Sequence, residues 1–471
     1  MVMSQSAVRE LVHDQLFPAF DDQREKLERI DGWYRFDPEK LKLPRDATRE
    51  HKWLEELSRT PWLNLVVTTV AQAMYVDGFV SPTSGDDVDV WRTWNANGFD
   101  ARQVAIHRAA LAYGQAYVLV TPGTDASGPR SVMRGISPRR MYVQYADKAE
   151  DDWPMFGLRA DAASRSKWML RVYDDEAVYY LSCDASGDGL EFIEWREHAA
   201  DVCPIVRYTN ALDLDGRTHG EVEPLIPLAI RINKTAYDRL LTQHFNSWKI
   251  RTIAGIDLSK GPVDSDGDGT ITDAERRQAA ERAKMLLRQS DMLTAADPNT
   301  KFGTLDETPL DGFVNAYGAD VDTLAAVAQV PATSLNGKVA NLSADAITEL
   351  HRGLTQKVYE RQRYFGQSHA QALRLAARLE GQDVDPSARI TWQDTEVRSM
   401  SQAADALGKY AQMLEVPVEA LWQRIPGVTK TDVDEWKAIS RRGAAAGIAS
   451  AAQQARQDPT VARLTSRGNQ G

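Results

Sequence analysis

The sequence predicts an α+β protein, with helical segments placed before and after one β-rich block. Three observations carry that expectation. Apolar residues recur at helical spacing from residue 5 to about 113, short strand-like runs replace that period between Ala116 and Tyr208, and a helical period returns at Pro224.

Residues 5–60 read as helical and strongly charged, with Val8, Leu11, Val12 and Leu16 at helical spacing before Pro18. Leu63 to Met74 is a more apolar helix suited to a core, with its end expected at Gly78 and Pro82. Val88, Trp91 and Trp94 begin another helix, broken at Asn97-Gly98. The next, Asp100 to about Tyr113, places Val104, His107 and Leu111 on one face. His107 reads as a core or interface histidine, because no second ligand lies near it in the sequence.

Ala116 to Val120 is then a buried strand ending at Thr121-Pro122-Gly123. Met141–Tyr145, Trp168–Tyr173, Val178–Leu181 and Ile205–Tyr208 continue an antiparallel block punctuated by Gly, Asp and Ser. From Pro224, Ile230, Tyr237, Leu241, His244 and Trp248 mark a helix to about Lys249. A short β stretch, 251–256, precedes a Gly/Asp loop, and a charged helix spans Asp273 to Gln289. Residues 292–306 suggest two short strands around Asp297-Pro298-Asn299, and Leu310 to Val330 a helix stopped by Pro331. Residues 332–342 are small, polar and loop-like. Ser343 caps a long helix whose apolar face holds Ile347, Leu350, Leu354, Val358, Phe365 and Leu373. Strand-like Ala388–Trp392 and short helices from Glu396 to about Arg442 follow, and the Ala/Gln/Arg/Ser-rich tail from Gly443 lacks apolar periodicity.

Composition excludes several functions. The 471 residues are 43% apolar and 26% charged, values of a folded protein too long for one ordinary core. Twelve Trp imply well-filled cores or subunit interfaces. A net charge of -11 argues against tight duplex binding, which draws its affinity from a Lys/Arg surplus. Cys183 and Cys203 have no zinc spacing and read as reduced, buried thiols. The charged first thirty residues hold no secretory signal, and no apolar run approaches the roughly 20 residues of a membrane helix. The expected location is the cytoplasm until the chain joins a larger assembly. Walker, GxSxG, HExxH and GxGxxG motifs are absent, so the chain reads as non-enzymatic.

One motif carries recognisable chemistry. Residues 264–275 fit the calcium loop of an EF-hand: Asp264, Asp266 and Asp268 offer carboxylates, and Gly269 permits the sharp turn. Thr270 offers its carbonyl, Thr272 the ninth-position contact, and Glu275 closes the site bidentately. A polar turn capped by Thr272 and Glu275 is the competing reading, and no entering helix precedes the loop.

The order of elements resembles that of portal proteins of tailed phages, nearest the actinobacteriophage type. Three groups of residues carry the resemblance. Trp94-Asn95-Ala96-Asn97-Gly98-Phe99 with Ala112-Tyr113-Gly114-Gln115-Ala116-Tyr117-Val118 looks like the family's wing. Arg207-Tyr208-Thr209-Asn210, Gly220-Glu221-Val222-Glu223-Pro224 and Ile232-Asn233-Lys234-Thr235 look like the stem entry. Gln329-Val330-Pro331-Ala332, Leu335-Asn336-Gly337 and Ser343-Ala344-Asp345-Ala346-Ile347 look like its loop and long helix. The resemblance implies a portal fold: a wing at 1–228, stem helices at 229–250 and 307–331, a clip at 251–306 and a tunnel loop at 332–342. A long helix returning to the wing would occupy 343–395, a helical crown 396–442 and a flexible tail 443–471.

It further implies a homo-oligomeric ring, typically of twelve subunits, at one vertex of the virion capsid. The partners implied are the major capsid protein, the terminase motor, a head-completion or adaptor protein, and double-stranded DNA passing a channel touched by Asn336, Gly337, Lys338, Val339, Ala340 and Asn341. An acidic chain suits such a lumen, since tight phosphate binding would have to be broken at each step. The calcium-like loop is not implied by the resemblance. It sustains a second reading, a calcium-binding scaffold or adaptor. Dispersed carboxylates leave a third, a metal-dependent nucleic-acid enzyme.

Overall fold

The structure, a computed structural model, describes residues 2–338 and 344–443 apart from 44, 46, 83–84, 87, 126–127, 165, 247–250, 255–272, 274–276, 278–300, 305–307, 394–399, 426–427, 429–431 and 434. In chain order, α1 (Gln5–Leu11), α2 (Phe17–Tyr34), α3 (Arg49–Ser58) and α4 (Trp62–Ala71) precede β1 (Val76–Ser81) and β2 (Gly85–Asp86). Helices α5 (Val88–Ala96) and α6 (Phe99–Tyr113) lead into β3 (Gln115–Asp125), β4 (Gly128–Ile136), β5 (Met141–Gln144), β6 (Phe156–Ala162), β7 (Lys167–Tyr173), β8 (Ala177–Asp184), β9 (Glu191–Glu197) and β10 (Ile205–Thr209). Then come α7 (Ile226–Asn246), β11 (Arg251–Ala254), β12 (Lys301–Thr304), α8 (Asp311–Ala328), α9 (Ala332–Asn336), α10 (Ala344–Leu379), β13 (Arg389–Trp392), α11 (Met400–Met413) and α12 (Val418–Leu421). The mixed, mainly antiparallel composition is α+β, as expected.

The chain divides into two compact units, one of residues 1–41, 60–232 and 318–471, the other of 42–59 and 233–317. Among the described residues the first holds three sheets, ordered β13-β1-β2, β10-β3-β4 and β5-β6-β7-β8-β9. The N-terminal helices cover one face of the five-stranded sheet, where Val8, Val12, Leu16 and Phe20 meet Leu158, Leu170, Val172, Tyr179 and Leu181. Burying each such large side chain contributes roughly 1.5–3 kcal/mol. A π turn, Val12–Leu16, joins α1 to α2 just ahead of Pro18, which has no N–H and crowds the carbonyl four residues back; the wider turn lets the chain stay helical past it.

Several expectations are corrected. Helix α4 ends at Ala71, and Gly78 lies inside β1, whose partner β13 arrives from beyond residue 388. Strand β3 runs through Pro122 and Gly123, because those residues pair with Ser131 and Arg130 of β4, at the rim of the three-stranded sheet. Strands β4, β6 and β9 were not legible as runs: β4 and β6 are broken by Gly, Arg and Asp, and β9 is exposed on nearly every residue. Leu350 is 40% exposed, so among the residues whose burial is described the apolar core side of α10 begins at Leu354.

The second unit contains α3, capped reciprocally by Thr48 and His51, with Arg59 Nη2 2.8 Å from the buried Glu55 carboxylate. There β12 pairs antiparallel with β11, Arg251 opposite Thr304; residues 292–300 of the two strands expected around 297–299 lie outside the described residues. Cys183 and Cys203 are buried free thiols. Burial pushes the Cys183 pKa up to about 11, and that of Cys203 upward as well, which leaves neither as a nucleophile.

Candidate functional site

The residues around the expected channel loop are built on α10. Lys357, Arg361, Phe365 and His369 recur every four residues, so they line one slowly winding stripe of that helix. The stripe faces the chain that enters and leaves the β block.

At its N-terminal end lies a buried charge clamp. The Lys357 ammonium contacts the Glu221 carboxylate and donates to the Ala328 carbonyl at 2.8 Å. Arg361 Nη2 donates to Glu221 Oε1 at 3.3 Å, and Asn210 Nδ2 donates to the same oxygen at 3.1 Å. Glu221, Lys357 and Arg361 are each no more than 9% exposed. Two cations on one buried carboxylate hold only because the Ala328 carbonyl and the rim residue Glu360, 2.8 Å from Arg361 Nη1, share the excess charge. Ala328 ends α8. The Lys357 ammonium therefore ties α10 both to Glu221 and to the last turn of α8, immediately before the loop region.

Glu221 is held in place by a backbone crossing. Its N–H donates to the Leu111 carbonyl at 2.7 Å, and the Asn210 N–H to the Gly114 carbonyl at 3.0 Å. Gly114 adopts φ +90°, and a Cβ there would lie 2.9 Å from the Gly220 nitrogen. A Cβ on Gly220 would strike the Ala112 carbonyl and the Gly114 nitrogen. Only a glycine pair lets these two segments pass so closely.

At the other end of the stripe, His107 Nε2 and His369 Nε2 are 2.8 Å apart, and Tyr208 Oη lies 2.9 Å from His369 Nδ1. All three are fully buried. Phe365 stacks on His107 with centroids 5.1 Å apart, and Trp94 meets His369 edge-on at 5.1 Å. Burial drives the His107 pKa down to about 3, the Met74 backbone opposing it. Burial first, and then the neighbouring His107, hold His369 well below the usual imidazole range. A chain of neutral rings joins α6, β10 and α10.

The loop itself is shorter than 332–342. Residues 332–336 form α9, with buried Leu335 packed toward α4, and Pro331 and Gly337 bounding it. Leu335 supplies an apolar anchor, and Gly337 takes the left-handed φ of +65° that ends the turn. Asn336 Nδ2 reaches Asp322 Oδ1 at 3.3 Å, and its Oδ1 accepts from the Lys338 N–H at 2.9 Å. Lys338 is exposed. Val339, Ala340 and Asn341 lie outside the described residues, as do the calcium-loop residues Asp264, Asp266, Asp268, Thr270, Thr272 and Glu275. Among the described residues no group of three or more His, Cys, Asp or Glu could hold a metal ion, and no helix is long and apolar enough to cross a membrane. Sequence reasoning passed over Glu221, Lys357, Arg361 and His369. The available signal was a lysine and an arginine four residues apart within an apolar helix face, which only a buried counter-charge permits.

The family model "Phage portal protein, SPP1 Gp6-like" matches residues 13–445. The chain belongs to that family of phage portal proteins. The portal protein of Mycobacterium phage D29 is 26% identical over 476 residues, covering 96% of this chain and 92% of that protein. The portal protein of Mycobacterium phage L5 is 25% identical over 474 residues, with the same coverage. Among solved structures, a chain from the neck of an empty GTA particle computed with C6 symmetry has a TM-score of 0.42 at 13% identity, covering 79% of this chain and 91% of that one. A chain from the neck of a native GTA particle computed with C12 symmetry also has a TM-score of 0.42, at 10% identity, covering 82% and 96%. Portal proteins are structural components of the phage head-tail connector, not catalysts. The clamp and the glycine crossing thus lie in a portal subunit, and Gly114, Asn210, Gly220 and Glu221 fall within the strings the sequence resemblance singled out.

Proposed function

We propose that copies of this chain close head to tail into a ring of twelve at one capsid vertex, forming the channel for genome packaging and ejection. Residues 1–228 act as the wing against the major capsid protein, 229–250 and 307–331 as the stem, and 251–306 as the clip that meets the terminase motor and a head-completion protein. Residues 343–395 form the long helix returning to the wing, and 396–442 the crown. The ring assembles in the host cytoplasm and is retained in the virion. The observation that carries this reading is the family match over 13–445, in the element order expected of a portal. Ring closure needs a heterologous interface, which a long helix and exposed apolar positions such as Val327 and Tyr359 can supply.

Lys338 and residues 339–342 act as the tunnel loop. Supporting this, the base of the segment is fixed by α9 and by the clamp on Ala328, whereas Lys338 is exposed and carries the one charge of 332–342. Deleting Val339 to Asn341 leaves ring assembly intact and impairs packaging; normal packaging removes the loop's role. Negative-stain microscopy of the purified protein, alone and with capsid components, tests the ring. Rings with a central hole are expected, and a strictly monomeric or two-fold dimeric species in capsids overturns the reading.

A further inference from the structure

The five-stranded sheet has one face under the N-terminal helices and another covered only in part. The register sets out that second face in rows. Gly157, Tyr173 and Val178 stand side by side, and this row is closed over: a Cβ on Gly157 would collide with Ile205, and Tyr173 and Val178 share a core with Tyr117 and Leu119. The next row is Arg159, Arg171, Tyr180 and Glu194, and the one beyond begins with Asp161 and Met169. The core still takes in Met141, opposite Arg159, and packs against Tyr180, but it leaves the side chains of Arg171, Glu194 and Arg196 34%, 45% and 66% exposed.

Guanidinium groups crowd there. Arg159 Nε lies 2.8 Å and Arg171 Nη1 3.2 Å from Asp161 Oδ2, and Arg140 Nε donates to Asp161 Oδ1 at 3.0 Å. Arg171 and Arg196 both sit over the Tyr180 ring, at 5.9 and 5.6 Å from its centroid. Arg196 pairs with Glu194 at 2.7 Å, and Lys167 with Glu191 at 3.8 Å. Five cations thus face three carboxylates on a chain whose net charge is -11. Burial alone would raise the Asp161 pKa, yet the arginines outweigh it and hold the carboxyl below its usual range. Asp161 is in effect a built-in example of the ligand this surface takes: a carboxylate received by several guanidinium forks.

We propose that this more open part of the sheet docks a carboxylate-rich segment of a different polypeptide, with Arg140, Arg171 and Arg196 receiving its acidic side chains and Tyr180 supporting the guanidinium planes of Arg171 and Arg196. Charge complementarity favours a peptide over duplex DNA. Asp161, Glu191 and Glu194 interrupt the positive surface, which discrete carboxylates can avoid and a continuous phosphate backbone cannot. The proposal does not rest on the ring reading and can fail without it.

The test uses the full chain and fluorescein-labelled hexaglutamate, read by fluorescence anisotropy at low salt, beside a labelled 20-base-pair duplex. The double variant Arg140→Ala/Arg196→Ala removes two side chains that are more than half exposed, 54% and 66%. It should bind the peptide about tenfold more weakly, the sum of two exposed ion pairs. The single variant Arg196→Glu, on a strand exposed along its length, should weaken binding at least as much and covers the case in which the double variant misfolds. Unchanged peptide binding in either folded variant overturns the proposal, as does no binding at millimolar peptide. Tighter duplex binding with the same arginine dependence assigns the surface to nucleic acid instead, and self-association lost in the variants assigns it to a second copy.

Discussion

The buried histidine pair makes the first unit acid-sensitive in a way that can be calculated. His107 titrates at about 3 in the folded chain against 6.5 for an ordinary imidazole. Its folded pKa is lowered, so its contribution to stability is complete above pH 6.5 and is lost as pH falls towards 3, because only the unfolded chain takes up the proton in that window. At pH 5 the unfolded imidazole is about 1.5 units below its pKa, which costs about 2 kcal/mol for His107 alone. His369, shifted in the same direction by the same burial, adds to the loss. The Nε2 atoms are 2.8 Å apart, so one proton fits between them, and protonating both rings would set two N–H groups against each other. The assay is urea unfolding of the parent and of His107→Leu/His369→Leu at pH 7.5, 6 and 5. The double variant loses absolute stability through Tyr208, whose hydroxyl is left unpaired, but its stability should fall less steeply with acid. Each histidine removed takes away at most about 1.4 kcal/mol per pH unit. The same slope in variant and parent between pH 6 and 5 would refute the reasoning. Tyr208→Phe, which keeps both rings, should retain the parental slope.

Three further outcomes follow from the geometry. Glu221→Gln leaves Lys357 and Arg361 buried without their carboxylate and should cost about 3–5 kcal/mol, read as a lowered unfolding midpoint; Glu221→Leu with Lys357→Met should cost clearly less than the sum of its single changes. Gly114→Ala should strongly destabilise the chain, because its Cβ meets Gly220 at φ +90°, whereas Gly98→Ala, at φ +62° with nothing within 4 Å, should cost only about 1–2 kcal/mol. For residues 264–275, calorimetric titration should show calcium binding near 10⁻⁴ M, as for a single unpaired loop; roughly that affinity should be lost more completely in Glu275→Gln than in Thr272→Ala, and no heat at millimolar calcium would favour the capped turn.

The elements with strong local periods, and their order along the chain, were legible in the sequence. Strong apolar periods mark α6, α7, α8 and α10, strand-forming runs mark β5, β7, β8 and β10, and the spaced strings already pointed to the family that the comparisons identify. Those features are local: a helix face or a strand run is written within about a dozen residues. Tertiary structure decided what depends on distant partners. Gly78 ends no helix because β13, more than three hundred residues away, pairs beside it. Pro122 lies within a strand because β4 runs alongside, and 332–336 are helical because Leu335 finds a buried place. The charges at Lys357 and Arg361 had no partner near them in the sequence, because Glu221 meets them from 136 and 140 residues away. A buried charge acquires its meaning from its counter-charge, and no spacing along the chain records which one that is.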